Sequence, residues 1–210
     1  MAKGFFVTGT DTNVGKTVLA ALLCAALPAR YWKPIQTGAR EEIDREHVKS
    51  WAQLDDDQLI PESYMFDDPV SPHLAAQREG AEIALEQIEI PAERSGTPLI
   101  VEGAGGVMVP INSGQLMLDL MGHLALPAIL AARTTLGTIN HTLLSIKCLR
   151  SAGIQTVGVV LIGPENLENR KAIEHYGQIQ IVGQIPVLET IKRETLREVY
   201  ARHFTREAFQ

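Results

Sequence analysis

The residues with the clearest chemical purpose lie in Gly9-Thr10-Asp11-Thr12-Asn13-Val14-Gly15-Lys16-Thr17. A short apolar run, Phe5-Phe6-Val7, precedes them, and a helical run from Val18 to Leu27 follows. Strand, glycine loop and helix in that order turn backbone N–H groups into a hollow that holds phosphate oxygens. Asn13, Val14, Gly15, Lys16, Thr17 and Val18 are therefore expected nucleotide contacts. Lys16 reaches the β- and γ-phosphates, and the Thr17 hydroxyl binds Mg²⁺. The usual pattern leaves four residues between a first glycine and Gly-Lys-Thr. Here Thr10 holds that place and Gly9 stands one residue earlier, so the loop is a variant.

Two further charged residues end apolar runs. Glu102 follows Pro98–Val101 and opens Gly103-Ala104-Gly105-Gly106. A carboxylate there can hold Mg²⁺ opposite Thr17, and the glycines let a ligand approach the backbone. Lys33 lies toward the end of the run Arg30–Ile35, just before Pro34, and is expected to point toward the phosphates. A second lysine stabilises charge developing on a transferring phosphoryl group. Thr37 offers a hydroxyl. Leu136-Gly137-Thr138-Ile139-Asn140 opens a helix, and such a start either binds an anion such as a carboxylate or is simply capped by Thr138. The six histidines show no metal-ligand spacing, and no nucleophile–base pair suggests acyl-enzyme chemistry.

The elements that position these residues follow from the pattern. Strands are expected at 30–35, 98–101, 126–132, 156–162 and 179–185, and helices over 40–58, from Ser71 to Gly80, over 138–152 and within 191–209. Residues 59–70 read as loop. Continuous apolar strands alternating with helices imply a parallel sheet covered on both faces. The expected fold is a single α/β domain spanning 1–210, a nucleotide-binding sheet with helices on each side. Ligands bind at the carboxyl ends of strands in such folds. Residues 9–17, 33–38, 102–106, 133–140 and 186–188 all fall at such ends, so they are expected to form one site.

Bulk properties narrow the class. The 210 residues carry 45% hydrophobic content, enough for one ordinary core. A net charge of −6 without a basic block argues against a nucleic-acid surface. No apolar run is long enough to span a membrane, and the N-terminus runs straight into a strand, so a cytoplasmic protein is expected. Cys24 and Cys148 read as reduced core thiols.

Several stretches together resemble the dethiobiotin synthetase family. They are Phe6–Thr17, Lys33–Gly38, Ser71-Pro72-His73, Val101–Gly106, Leu136–His141 and Gln184-Ile185-Pro186, in family order. The resemblance implies closure of a ureido ring on 7,8-diaminononanoate (diaminopelargonate) with CO₂ and MgATP, through a carbamate that ATP phosphorylates. It implies that Lys33 and Lys16 are catalytic, that Thr12 and Thr37 contact substrate, and that Thr17 and Glu102 bind metal. Gly103, Ala104 and Gly105 are implied nucleotide contacts, and Pro186, Val187 and Leu188 flank the base. It also implies a homodimer in which Gly137, Thr138 and Asn140 bind the substrate carboxylate across the interface.

Two departures stand out. Counting forward from Thr37 puts His47 where the family has a metal-binding Asp, with Asp44 and Glu46 close by. Histidine is a poor Mg²⁺ ligand, so Asp44 is the expected substitute. Ile162-Gly163 stands where the family often has an Asn-Asp pair that reads adenine, so base selectivity is expected to be loose. The alternatives are a nucleotide-binding switch and a degenerate relative without catalysis.

Overall fold

The computed structural model describes residues 4–92 and 96–209. The main sheet is built from β1 (Gly4–Gly9), β2 (Arg30–Trp32), β4 (Leu59–Ile60), β6 (Leu99–Glu102), β7 (Ala128–Arg133), β8 (Thr156–Ile162) and β9 (Ile181–Ile185). A two-stranded ribbon pairs β3 (Ile35–Gln36) with β5 (Tyr64–Met65). The helices are α1 (Lys16–Ala26), α2 (Asp44–Ala52), α3 (Pro72–Arg78), α4 (Met117–Leu124), α5 (Thr138–Ser151), α6 (Leu167–Gly177) and α7 (Arg193–His203), with short 3₁₀ turns between. None of them is long and apolar enough to cross a membrane.

The main sheet runs β4-β2-β6-β1-β7-β8-β9, every neighbouring pair parallel. Strand side chains alternate between faces. Phe6, Val101, Leu130 and Leu161 thus join α3, α4, α5 and α6 in one apolar layer. Val7, Ile100, Ile129 and Val160 join α1, α2 and α7 in the other. Burial on both faces explains why the strands read as unbroken apolar runs. With β1 between β6 and β7, the loops after these three strands leave the same edge of the sheet side by side.

Three expectations need correction. The run 30–35 is not one strand: β2 ends at Trp32, and Ile35-Gln36 turns away to pair with β5. Pro34 lacks the N–H a ladder needs, so the break falls at Lys33-Pro34. The helix over 40–58 is only α2; Gln53 adopts a left-handed conformation (φ 53°) and closes it. The loop 59–70 contains the short strands β4 and β5. Strand 156–162 and helix 138–151 lie where expected.

Candidate active site

The loop after β1 is shaped by two left-handed residues, Asn13 (φ 56°) and Gly15 (φ 97°). Gly15 also meets β8: a Cβ there would lie 3.0 Å from Ile162 Cδ1. As N-cap of α1 it offers no side chain to the first turn. The N–H groups of Lys16, Thr17 and Val18 have no intrahelical partner by construction, so they are free to hold an anion. Lys16 is buried, and its Nζ donates to the Asp11 carbonyl at 3.1 Å. Burial lowers its ammonium below the ordinary value, against the pull of Glu102.

Opposite the loop stand three charged groups: Lys33 just after β2, Asp44 at the start of α2 and Glu102 at the end of β6. Thr17 Oγ1 lies 2.7 Å from Asp44 Oδ1 and 2.8 Å from Glu102 Oε1. A hydroxyl has one proton, so it donates to only one of them at a time. Two carboxylate oxygens and a hydroxyl oxygen converging this closely form an all-oxygen donor set that fits Mg²⁺, an ion that takes its remaining ligands from phosphate and water. Lys33 Nζ donates to Asp44 Oδ2 and lies 3.7 Å from Glu102 Oε1. Burial alone would lower the Lys33 ammonium, but Glu102 and Asp44 outweigh it and hold it above its ordinary value. Burial likewise opposes charge on Asp44, yet Lys33 and the Thr17 hydroxyl hold that carboxyl below its usual range. Burial pushes Glu102 up, against the pull of Lys33.

A cavity of about 880 Å³ opens over these groups. Thr12, Asn13, Gly15, Lys16, Thr17, Val18, Lys33, Thr37, Asp44, Glu102, Ala104 and Gly105 all line it. Val14 is buried beneath the loop. Gly103 is behind the cavity wall, its N–H bonded to Val7 O. Pro186, Val187 and Leu188 follow β9 and do not line the cavity; Val187 is exposed. Gly137 and Asn140 line a different cavity of about 600 Å³, with Leu136, Ile139, Leu143, Asn166 and Asn169. Thr138 is buried, and its hydroxyl donates to Arg133 O at 2.5 Å. The strand-end loops therefore share an edge, and within one protomer Lys16 and Lys33 line one cavity while Gly137 and Asn140 line another.

The acidic helix also resolves a count. Asp44, not His47, meets Thr17 and Lys33. His47 stacks on Trp51 with ring centroids 4.9 Å apart and approaches Glu42 at 3.4 Å. Glu46 is exposed and sits beside Arg45. Gln36 explains the register: its Oε1 accepts from Asp44 N at 3.3 Å and its Nε2 donates to Thr37 O at 2.6 Å. One buried amide thus ties the Thr37 loop to the start of α2.

Sequence reasoning missed Gln36, Tyr31 and Arg133. Tyr31 OH donates to Glu102 Oε2 at 2.9 Å. Arg133 ends β7, donates to Thr12 O at 2.7 Å and braces the loop tip. Arg133 carried a readable signal, a charge ending an apolar strand.

An ATP-dependent dethiobiotin synthetase of Brucella ovis is 46% identical over 204 residues, covering 97% of this chain and 95% of that protein. The chain belongs to the dethiobiotin synthetase family. The Brucella abortus synthetase is 45% identical over the same share of each chain. A family described as an AAA domain matches residues 3–195. A ParA family ATPase from Chlorobium tepidum covers 96% of this chain and 93% of its own at a TM-score of 0.55 and 14% identity. Cyanothece McdA, solved as an ATP complex, covers 94% and 87% at 0.52 and 14%. At that identity these two share the fold with the synthetase chain and nothing finer.

Proposed function

We propose that this protein closes the ureido ring of dethiobiotin from 7,8-diaminononanoate, CO₂ and ATP, releasing ADP and phosphate. The observation that carries this reading is the meeting of Lys16, Thr17, Lys33, Asp44 and Glu102 around one cavity in a chain of this family. One amine of the diamine adds to CO₂ and loses a proton, giving a carbamate. The carbamate oxygen attacks the γ-phosphorus and ADP leaves. The second amine then attacks the carbonyl of the mixed anhydride, loses its proton, and phosphate departs.

The chain's contribution is positioning and charge. The first-turn N–H groups of α1 and Lys16 hold the phosphates. Lys33, buried among carboxylates, stays an ammonium and sets positive charge beside the anionic carbamate and γ-phosphoryl group. Thr12 and Thr37 contact the substrate. Thr17, Asp44 and Glu102 hold Mg²⁺, which neutralises phosphate charge when bound. Ala104 and Gly105 border the nucleotide with Gly103 backing them, and Pro186–Leu188, outside the cavity, flank the base where the nucleotide extends beyond it.

The same reading includes a homodimer in the cytoplasm. Leu136 is fully exposed beside the second cavity, and Leu144 on α5 is also exposed. Gly137 as N-cap leaves the first-turn N–H groups of α5 without a side-chain partner. Exposed apolar side chains around an uncapped helix start fit a partner protomer whose bound substrate presents its carboxylate there. An assay with the diamine, bicarbonate and MgATP tests the activity: phosphate release is expected only with the diamine present, and release without it overturns the reading in favour of a switch ATPase.

A further inference from the structure

Glu102 is buried at the end of β6, and its carboxyl torsion is intrinsically broad, so packing alone does not decide which oxygen faces the cavity. The neighbouring strand supplies the deciding contact. Tyr31 pairs with Ile100 in register, and the pleat places Tyr31, Ile100 and Glu102 on the same face of the sheet. Tyr31 is wholly buried, and its hydroxyl donates to Glu102 Oε2 at 2.9 Å. That leaves Glu102 Oε1 to face Thr17 at 2.8 Å and Lys33 at 3.7 Å.

We infer that Tyr31 is a positioning residue that fixes the Glu102 carboxylate toward Thr17 and the divalent cation. The inference rests on the Mg²⁺ reading above. It assigns the phenol a task different from packing: Phe at position 31 keeps the ring, removes one hydroxyl and leaves Glu102 Oε2 buried without a donor. Outer partners that orient a metal ligand change metal affinity by about 10–100-fold when removed.

The test is ADP binding followed calorimetrically across a range of MgCl₂ concentrations, with a Tyr31→Phe, Glu102→Gln and double-variant cycle. Tyr31→Phe is expected to raise the Mg²⁺ midpoint about tenfold. In the Glu102→Gln background the same change is expected to move it less than about twofold, because the hydroxyl acts through that carboxylate. An unchanged midpoint in Tyr31→Phe, or an equal shift in both backgrounds, overturns the inference. So does a Tyr31→Phe chain that folds only when Glu102→Gln is added, since the hydroxyl then serves stability alone. If ADP binding by the unaltered protein ignores Mg²⁺ altogether, the metal reading itself fails and this one falls with it.

Discussion

At the residue scale the site is a balance of buried charges. Lys33 is the cation closest to both Asp44 and Glu102, and the carboxylates keep it protonated. Lys33→Ala leaves the buried Glu102 and the partly buried Asp44 without their nearest cation, which costs about 3 kcal/mol of stability by analogy with other broken buried pairs. The chain has a full apolar layer on each face of its sheet, so it is expected to fold with a lowered melting temperature while turnover falls at least about 10³-fold. Circular dichroism and dethiobiotin formation measure the two, and near-normal product formation removes Lys33 from the chemistry. Lys33 and Glu102 were legible because each is a charge ending an apolar run. Asp44 was legible only as a neighbour of His47. The register of α2 is set by Gln36 reaching Asp44 N, a contact between side chain and backbone that residue counting does not contain. Tyr31 was not legible at all, since a tyrosine inside a buried strand reads as core.

At the element scale, the strand-loop-helix of β1 and α1 was readable because its strand, glycines and apolar helix agree with one another. Helices α4 and α6 went unread. The α4 run does place Met117, Leu120, Met121 and Leu124 on one buried face, a period that was available. In α6 only Ile173 and Gly177 are buried, so almost no apolar period exists to find. The α1 start predicts the cost of altering Gly15. A methyl there meets Ile162 at 3.0 Å in a left-handed backbone that side chains disfavour by about 1–2 kcal/mol. Gly15→Ala is therefore expected to loosen the anion hollow and weaken ADP binding at least about tenfold, measured by calorimetry. The ends of β8 and β9 predict selectivity. Gly163 sits at φ 130° with Thr134 Oγ1 2.5 Å from where a Cβ would be, so a side chain there would strain the backbone and need Thr134 to turn aside. Gln184 Nε2 is already donated to Gly163 O at 2.9 Å. With no Asn-Asp pair, the protein is expected to use other triphosphates nearly as well as ATP. A preference in kcat/KM for ATP above about a hundredfold, or roughly 2.7 kcal/mol, shows that another group reads the base.

At the scale of the whole molecule, the parallel sheet and its two covered faces followed from apolar runs, but the number of cavities did not. Sequence placed every strand-end loop at one edge, which is correct. It could not say that Gly137 and Asn140 open away from Lys16 and Lys33 into a cavity of their own. That separation is the reason to look for the substrate carboxylate site in a partner chain. If each complete site joins the Lys33 cavity of one protomer to the α5 start of the other, two differently damaged chains should repair each other. Lys33→Ala destroys the phosphoryl-transfer side. Asn140→Asp sets a negative charge at the helix start, where it repels a substrate carboxylate while remaining favourable for the helix itself. Each variant alone is expected to be nearly inactive. In an equal mixture allowed to exchange subunits, half of the dimers are mixed, and each mixed dimer holds one site with both parts intact. Activity is therefore expected to return to about one quarter of the unaltered protein's, following the two-fold symmetry of such an interface. If the diamine is held wholly within one chain, the mixture stays as inactive as its two components measured separately.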